Sequence, residues 1–194
     1  MKLLSKLENG DLRSIGKANE VVKQIGNSQN LFDEVFQGIF ETNPLIRMRA
    51  SDTIKKVSHN YLGLLKKHKK KILSHLQHFK QQEVKWHIAL MVSYLTLTKK
   101  EAETAFTEFS QWIKKDDSRI VKVNALQVLA TIAAKHPTLK TKIIALIKKF
   151  WKTILVMVFY EILARVGLIK KRGKRHETNQ KFLCFSDHFF FFNG

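Results

Sequence analysis

Cysteine, proline and glycine are scarce in this chain. Its 194 residues include one cysteine, two prolines and eight glycines. A single cysteine, Cys184, excludes an internal disulfide framework and suits a reducing cytoplasm. The shortage of proline and glycine, beside many Leu, Ile, Lys and Ala residues, favours helix over strand. We therefore expect an all-α, cytoplasmic protein.

The chain also lacks the sequence features of several functional classes. Residues 1–8 have no uninterrupted apolar core of the kind found in signal peptides. In 153–169 the charges of Glu161 and Arg165 interrupt what would otherwise be a spanning segment, although an interfacial segment remains an alternative. No glycine-rich phosphate loop and no serine elbow are present. We expect no membrane span, no cofactor and no enzyme activity.

Acidic residues are too few to balance the basic ones. The chain has 35 Lys or Arg against 16 Asp or Glu, which gives a formal charge of +19. Such an excess favours attraction to nucleic acid or to anionic surfaces but does not specify a fold. Hydrophobic residues make up 44 % of the chain, which is enough to build a folded core.

What the chain does have is an internal repeat. Four segments align without gaps, and their starts lie 32, 38 and 37 residues apart. They are Ser14–Ile25, Ile46–Val57, Val84–Leu95 and Val121–Ile132. Each places apolar residues at the spacing of one helix face, and a period of this size is typical of solenoids.

Each aligned segment is followed by a second apolar-periodic segment. These second segments are 30–41, 63–79, 99–113 and 137–150. A glycine cap at Gly26, the pair Asn43-Pro44 and a capping box from Thr98 to Glu101 mark helix ends. Because one helix pair cannot cover its own apolar face, we predict an α-solenoid of four antiparallel helix pairs over 1–150.

The aligned helices resemble the first helix of HEAT repeats. In that family an aliphatic, a basic and a small residue recur just after a turn marked by Asp or Pro. The segments of this chain that carry the resemblance are 46–54, 84–92 and 121–129. The resemblance covers about residues 10–150 and extends to small bacterial HEAT-repeat and adaptin-like proteins. It implies an ARM/HEAT-type superhelix that serves as a non-enzymatic scaffold for macromolecular binding.

The resemblance also implies where a partner binds, because the second helix of each HEAT pair lines the concave surface. We expect a protein partner there. Nucleic acid is the alternative, as in HEAT-like DNA alkylation repair proteins, since adjacent lysines can neutralise phosphates. Acidic residues on the second helix of the third pair favour a protein partner over nucleic acid. The candidate binding residues are Lys66, Lys67, Lys69, Lys70, Lys71, Lys140, Lys142, Lys148 and Lys149.

Other side chains that suggest a site have simpler structural interpretations. Trp86 resembles the cleft tryptophans of alkylation repair glycosylases, but its repeat position indicates packing. The basic column Arg47, Lys85 and Lys122 suits a ladder beside the turns between units. His75 and His78 share a helix face without a third ligand, so we expect no metal site.

The repeat pattern ends after Trp151. We interpret 151–169 as an atypical terminal helix. Residues 170–194 form a basic tail that ends with four consecutive phenylalanines, Phe189–Phe192, and no packing requirement explains them at an exposed terminus. We interpret this tail as disordered or as out-of-frame translation.

Overall fold

The chain folds into helices joined by short connections. The computed structural model describes residues 2–8, 10, 11 and 14–150, and these contain no β-strand. The all-α prediction is therefore confirmed over this part of the chain. The α-helices are α1 (Ala18–Ile25), α2 (Gln29–Gln37), α3 (Pro44–Asn60), α4 (Leu62–Lys66), α5 (Lys69–His75), α6 (Gln82–Tyr94), α7 (Lys99–Lys115), α8 (Arg119–Lys135) and α9 (137–150). Short 3-10 helices occupy Leu4–Leu7, Gly38–Phe40 and Leu76–His78.

The helix ends follow the capping chemistry read from the sequence. The Thr98 side chain accepts a hydrogen bond from the Glu101 amide, and the Thr98 amide donates to the Glu101 carboxylate at 2.7 Å. The Asn43 side chain accepts a hydrogen bond from the Leu45 amide, and Pro44 occupies the first helical position. Gly26 ends α1 with a φ of 49°, which an L side chain rarely adopts. These boundary predictions are confirmed.

Three predicted segments differ from the structure. Segment 30–41 is α-helical only to Gln37 and continues as a 3-10 helix over Gly38–Phe40. The first aligned segment begins its helix at Ala18 rather than Ser14. The second segment of the second pair, predicted as 63–79, is divided into α4, α5 and a 3-10 helix. The break at Lys67 and His68 coincides with a buried histidine that packs on α2, so a tertiary contact overrides local helix propensity there.

The helices that contain the aligned segments pack in chain order. Helix α1 contacts α3, α3 contacts α6, and α6 contacts α8, while α2 packs on α3 and α7 packs on α8. The apolar repeat columns form the core between them. Three columns are buried throughout: Ala18, Ala50, Ile88 and Ala125; Val21, Thr53, Met91 and Val128; and Ile25, Val57, Leu95 and Ile132.

All described residues belong to one compact unit, Met1–Met157. The predicted terminal helix 151–169 and tail 170–194 lie outside the described residues, and the division at residue 150 stays a prediction. Within the described part, no helix is both long enough and apolar enough to cross a membrane.

Candidate binding surface

The candidate lysines lie on two elements of the structure. One group, Lys66–Lys71, spans the end of α4 and the first turn of α5. The other group lies on α9, where Lys140, Lys142, Lys148 and Lys149 are all exposed. Both elements belong to the second helices of the predicted pairs.

Two lysines of the first group tie α5 to its neighbours. The Lys67 ammonium lies 2.6 Å from an Asp33 carboxylate oxygen on α2. On the other side, Lys69 lies 2.8 Å from Glu101 on α7 and donates to the Thr96 carbonyl at 3.2 Å. Solvent-exposed ion pairs stabilise little. Their main effect here is to fix α5 between the second helix before it and the one after it.

Lys71 is held by α2 and the segment after it. It donates to the Gln37 side chain at 2.7 Å and lies 4.4 Å from the centre of the Phe40 ring. A cation at this distance from an aromatic face is attracted by the ring quadrupole. Three of the five lysines in the first group therefore have internal partners.

Asp33 is the centre of the contacts between α2 and α5. It accepts hydrogen bonds from Gln29, Lys67 and His68, each at 2.6 Å. Burial raises the pKa of Asp33, but the bonds from Lys67, Gln29 and His68 outweigh it and lower the pKa to about 2. Asp33 is therefore ionised at neutral pH.

His68 packs beneath the basic run. Its ring stacks on Phe36 with 3.8 Å between the ring centres, and the residue is buried. Burial lowers the pKa of His68 despite the hydrogen bond to Asp33. The neutral ring then donates from Nε2 to the carboxylate, so His68 anchors the α4–α5 break rather than adding charge to the surface.

The other candidate lysines are available to a partner. In the described ranges Lys66, Lys70 and the four α9 lysines make no ion pair or hydrogen bond through their ammonium groups. Of the candidate lysines, two on α4–α5 and four on α9 are thus exposed and unpaired within the described residues, and we call these six the basic surface.

A groove lies between α7 and α9, beside two of these lysines. Its volume is about 400 Å³. The lining residues are Phe106, Thr107, Ser110, Gln111 and Lys114 from α7, with Lys142, Ala145, Leu146 and Lys149 from α9. Both hydroxyls of the lining bond to backbone within α7: Ser110 donates to the Phe106 carbonyl at 2.6 Å and Thr107 to the Glu103 carbonyl at 3.1 Å.

A second group of polar residues is buried between the aligned helices. One repeat column holds Lys17, Arg49, His87 and Asn124, and the last three of these are buried. Arg49 donates to the carbonyls of Leu7, Asp11 and Ser14 at 2.9 to 3.1 Å. A buried guanidinium needs such partners. Arg49 therefore fastens the N-terminal segment to α3.

Ser51, His87 and Asp52 have the connectivity of a catalytic triad. The Ser51 hydroxyl lies 3.0 Å from Nδ1 of His87, and Nε2 of His87 lies 3.4 Å from an Asp52 oxygen. A nucleophilic serine must reach its substrate. Ser51 is fully buried and also lies 2.8 Å from the Met48 carbonyl, so this constellation joins α3 to α6 instead.

The positive charge in this cluster comes from lysines. Burial lowers the pKa of His87, which is therefore neutral at pH 7. Burial also raises the pKa of Asp52, but His87, Lys55 and Lys56 hold it well below its usual range. With His87 neutral, the charges beside Asp52 are those of Lys55 at 3.5 Å and Lys56 at 2.7 Å. Lys56 also donates to Asn19 on α1 at 2.8 Å, which extends the contacts over three aligned helices.

The packing interpretations of the sequence agree with the structure. Trp86 is 7 % exposed and lies against His87, with 3.6 Å between the ring centres. In the basic column, Arg47 donates to Gln81 at 3.0 Å, and Lys85 lies 2.5 Å from Asp116. Two members of the predicted ladder therefore have partners in the turn of the next unit.

His75, at the end of α5, and His78, in the 3-10 helix that follows, belong to no larger ligand set in the described ranges. The rings of His75 and His78 lie 5.9 Å apart between centres, and Nδ1 of His75 faces the Lys71 carbonyl at 2.9 Å. Within residues 2–8, 10, 11 and 14–150, no three His, Cys, Asp or Glu side chains are placed to hold a metal ion.

Comparison with known proteins identifies no relative of this chain. The chain matches no family model, no curated protein and no solved structure. The resemblance to HEAT repeats consequently stays a prediction, carried by the repeat columns alone.

Sequence reasoning missed the α7 side of the groove. Phe106 and Lys114 lie eight residues apart, a spacing that places both on one helix face. The sequence contains that spacing, but Glu101, Glu103 and Glu108 lie between the lysines at the two ends of α7 and obscure the basic end of the helix. Glu101 is in fact engaged by Lys69.

Proposed function

We propose that the described helices form a HEAT-like α-solenoid of four pairs. Support comes from the contact order α1, α3, α6 and α8, which follows the repeat. The Lys67–Asp33 and Lys69–Glu101 ion pairs join successive second helices in the same order. Stacked pairs of this kind stabilise one another chiefly through contacts with their nearest neighbours.

On this scaffold we propose a non-enzymatic function, the binding of a partner protein through the second-helix surface. One observation carries the proposal. Six candidate lysines on α4–α5 and α9 have no ionic or hydrogen-bonded partner in the described chain, while Arg47, Arg49 and Lys85 on the aligned helices are used in internal contacts. Exposed lysines without such a partner also occur on the aligned helices, at Lys23 and Lys135, but the larger number on α4–α5 and α9 favours the second helices as the binding surface.

The buried polar cluster supports a scaffold rather than an enzyme. Ser51 and His87 are at most 2 % exposed, so a substrate cannot reach them without unfolding of the α3–α6 contact. Trp86 is similarly enclosed, which also argues against a glycosylase cleft at that residue.

Nucleic acid is the second candidate partner. The observation in its favour is that Lys140, Lys142, Lys148 and Lys149 are all exposed on one helix. Glu103, exposed on the neighbouring second helix α7, weakens a continuous phosphate-binding track. We favour a protein partner for that reason.

The test is quantitative enrichment of partners on full-length protein from a host extract, with and without nuclease treatment. The double variant Lys70→Glu/Lys142→Glu changes two second helices. Its matched control, Lys23→Glu/Lys135→Glu, makes the same charge change on α1 and α8, where both lysines are exposed. We expect the first variant to lose a specific protein and the control to retain it. Equal loss in both variants, or loss of all partners on nuclease treatment, would overturn the proposal.

A further inference from the structure

The groove between α7 and α9 differs from the remaining basic surface because it combines charge with apolar depth. Its lining includes Phe106, Ala145 and Leu146. Its hydroxyls are satisfied within α7, so Gln111 is the only uncharged lining side chain whose polar group has no bond to the described chain. An apolar side chain can therefore enter without leaving hydroxyl groups unpaired.

The charged groups of the groove are of one sign. Lys114, Lys142 and Lys149 contribute to the lining, and no Asp or Glu does. None of the three has an ionic partner in the described part of the chain. Carboxylates set on either side of an apolar group would complement this arrangement, because opposite charges at the rim of an interface promote association and exclude wrong partners.

The size of the groove fits a peptide anchor rather than a whole domain. A volume of about 400 Å³ is at the small end of the range for ligand pockets. It accommodates one or two large side chains, and a short amphipathic segment supplies these together with flanking acids. Apolar anchors in grooves are a recurrent mode of peptide recognition.

The chain's own C-terminal residues do not have the complementary charge. Residues 151–194 contain eight Lys or Arg and three Asp or Glu. A basic segment over three lysines would be repelled. A second copy of the chain, which carries a formal charge of +19, is disfavoured on the same ground.

We propose that the α7–α9 groove binds an acidic amphipathic peptide segment of a partner protein. One or two of its apolar side chains pack on Phe106 and Leu146, and its carboxylates pair with Lys114, Lys142 and Lys149. This inference rests on the proposed function and assigns it a site and a class of partner.

The test selects ligands for the full-length protein from a random 12-residue peptide library displayed on phage. The expected result is enrichment of peptides with Asp or Glu flanking Leu, Ile, Phe or Trp. Synthetic copies of the enriched peptides are then measured by fluorescence anisotropy against single variants. Enrichment of basic peptides, or of none, would overturn the inference.

Matched variants locate the binding site. Lys114 and Lys115 are adjacent, exposed and both in the last turn of α7, but only Lys114 lines the groove. We expect Lys114→Glu to weaken peptide binding roughly tenfold or more and Lys115→Glu to change it little. Ala145→Trp fills the groove from an exposed position and should abolish binding while the far-ultraviolet circular dichroism is unchanged.

The outcomes also separate this inference from the proposed function. If Lys114→Glu and Ala145→Trp leave peptide binding intact while Lys70→Glu abolishes partner enrichment, the second-helix function stands and the groove assignment is wrong. If 30-nucleotide DNA binds the protein and peptides do not, both proposals fail.

Discussion

The guanidinium of Arg49 occupies the space that a side chain at residue 16 would need. A Cβ atom built on Gly16 would lie 2.7 Å from Cζ of Arg49, closer than such atoms approach in proteins. Gly16 also has a φ of 52°, which favours glycine. Close backbone approach and the three carbonyl bonds of Arg49 together hold the N-terminal segment on α3.

Replacement of this glycine should destabilise the fold. We expect Gly16→Ala to lower the free energy of unfolding by about 1–3 kcal/mol, since it adds backbone strain and a clash. Gly63→Ala is the matched control, because nothing beyond its chain neighbours and the backbone of its own helix lies within 4 Å of its Cβ position on α4. That change should be neutral or stabilising by up to about 1 kcal/mol. Urea unfolding followed by circular dichroism measures both, and equal effects would contradict the close approach.

The ladder predicts unequal effects for two lysines of one repeat column. Lys85 pairs with Asp116 in a largely buried site and lies 5.3 Å from the centre of the Trp112 ring. Lys122, in the same column of the next unit, has no ion pair in the described chain. Lys85→Met should lower the free energy of unfolding by about 3 kcal/mol, because Asp116 would lose its cation. Lys122→Met should change it by less than about 0.5 kcal/mol. Thermal or urea unfolding of the two variants would contradict the ladder if their stabilities were equal.

The buried histidines predict a loss of stability in mild acid. Burial lowers the folded-state pKa of His87 and of His68, while an unfolded histidine titrates near 6.5. Below that pH the unfolded chain takes up protons that the folded chain does not. The free energy of unfolding should therefore fall as pH is lowered from 7 to 5, by up to about 1.4 kcal/mol per pH unit for each histidine.

The variant His87→Gln isolates one of these contributions. The groups that face His87 are Asp52, Lys55, Lys56 and Ser51. The Asp52 carboxyl, with its pKa held low, stays ionised over this range in the folded state. His87→Gln should reduce the pH slope of stability, whatever its effect on stability at pH 7. His78→Gln, at an exposed position, is the control. An unchanged slope in His87→Gln would show that His87 takes up its proton over the same pH range in the folded and the unfolded chain, which would contradict a lowered pKa.

Local patterns in the sequence predicted much of the fold. The columns from Val21 to Val128 and from Ile25 to Ile132 are buried. Their residues lie on one face of each helix, and the 3.6-residue period that places them there is visible without knowledge of the neighbouring helices. The capping box of Thr98 and the glycine cap of Gly26 depend on adjacent residues only, so both could be predicted. Local chemistry of this kind is visible in a single sequence.

Contacts between distant residues could not be predicted in the same way. The sequence near Lys67 and Lys69 does not indicate their partners. Lys67 pairs with Asp33 and Lys69 with Glu101, each more than 30 residues away. The column of Arg49 and His87 was visible, but its burial depends on the carbonyls of the N-terminal segment and on Ser51 and Asp52. Lys114 joins the groove only because α9 lies beside α7.

The central claim is that the second-helix surface binds protein rather than a phosphate backbone, and the salt dependence of affinity tests it most directly. The dissociation constants of the full chain for its enriched protein partner and for a 30-base-pair DNA are measured from about 50 to about 200 mM salt. The account predicts a partner complex whose dissociation constant changes less than about tenfold, and DNA binding that is weaker throughout. Tighter binding of DNA, with a loss of affinity of roughly a thousandfold over the same range, would contradict it.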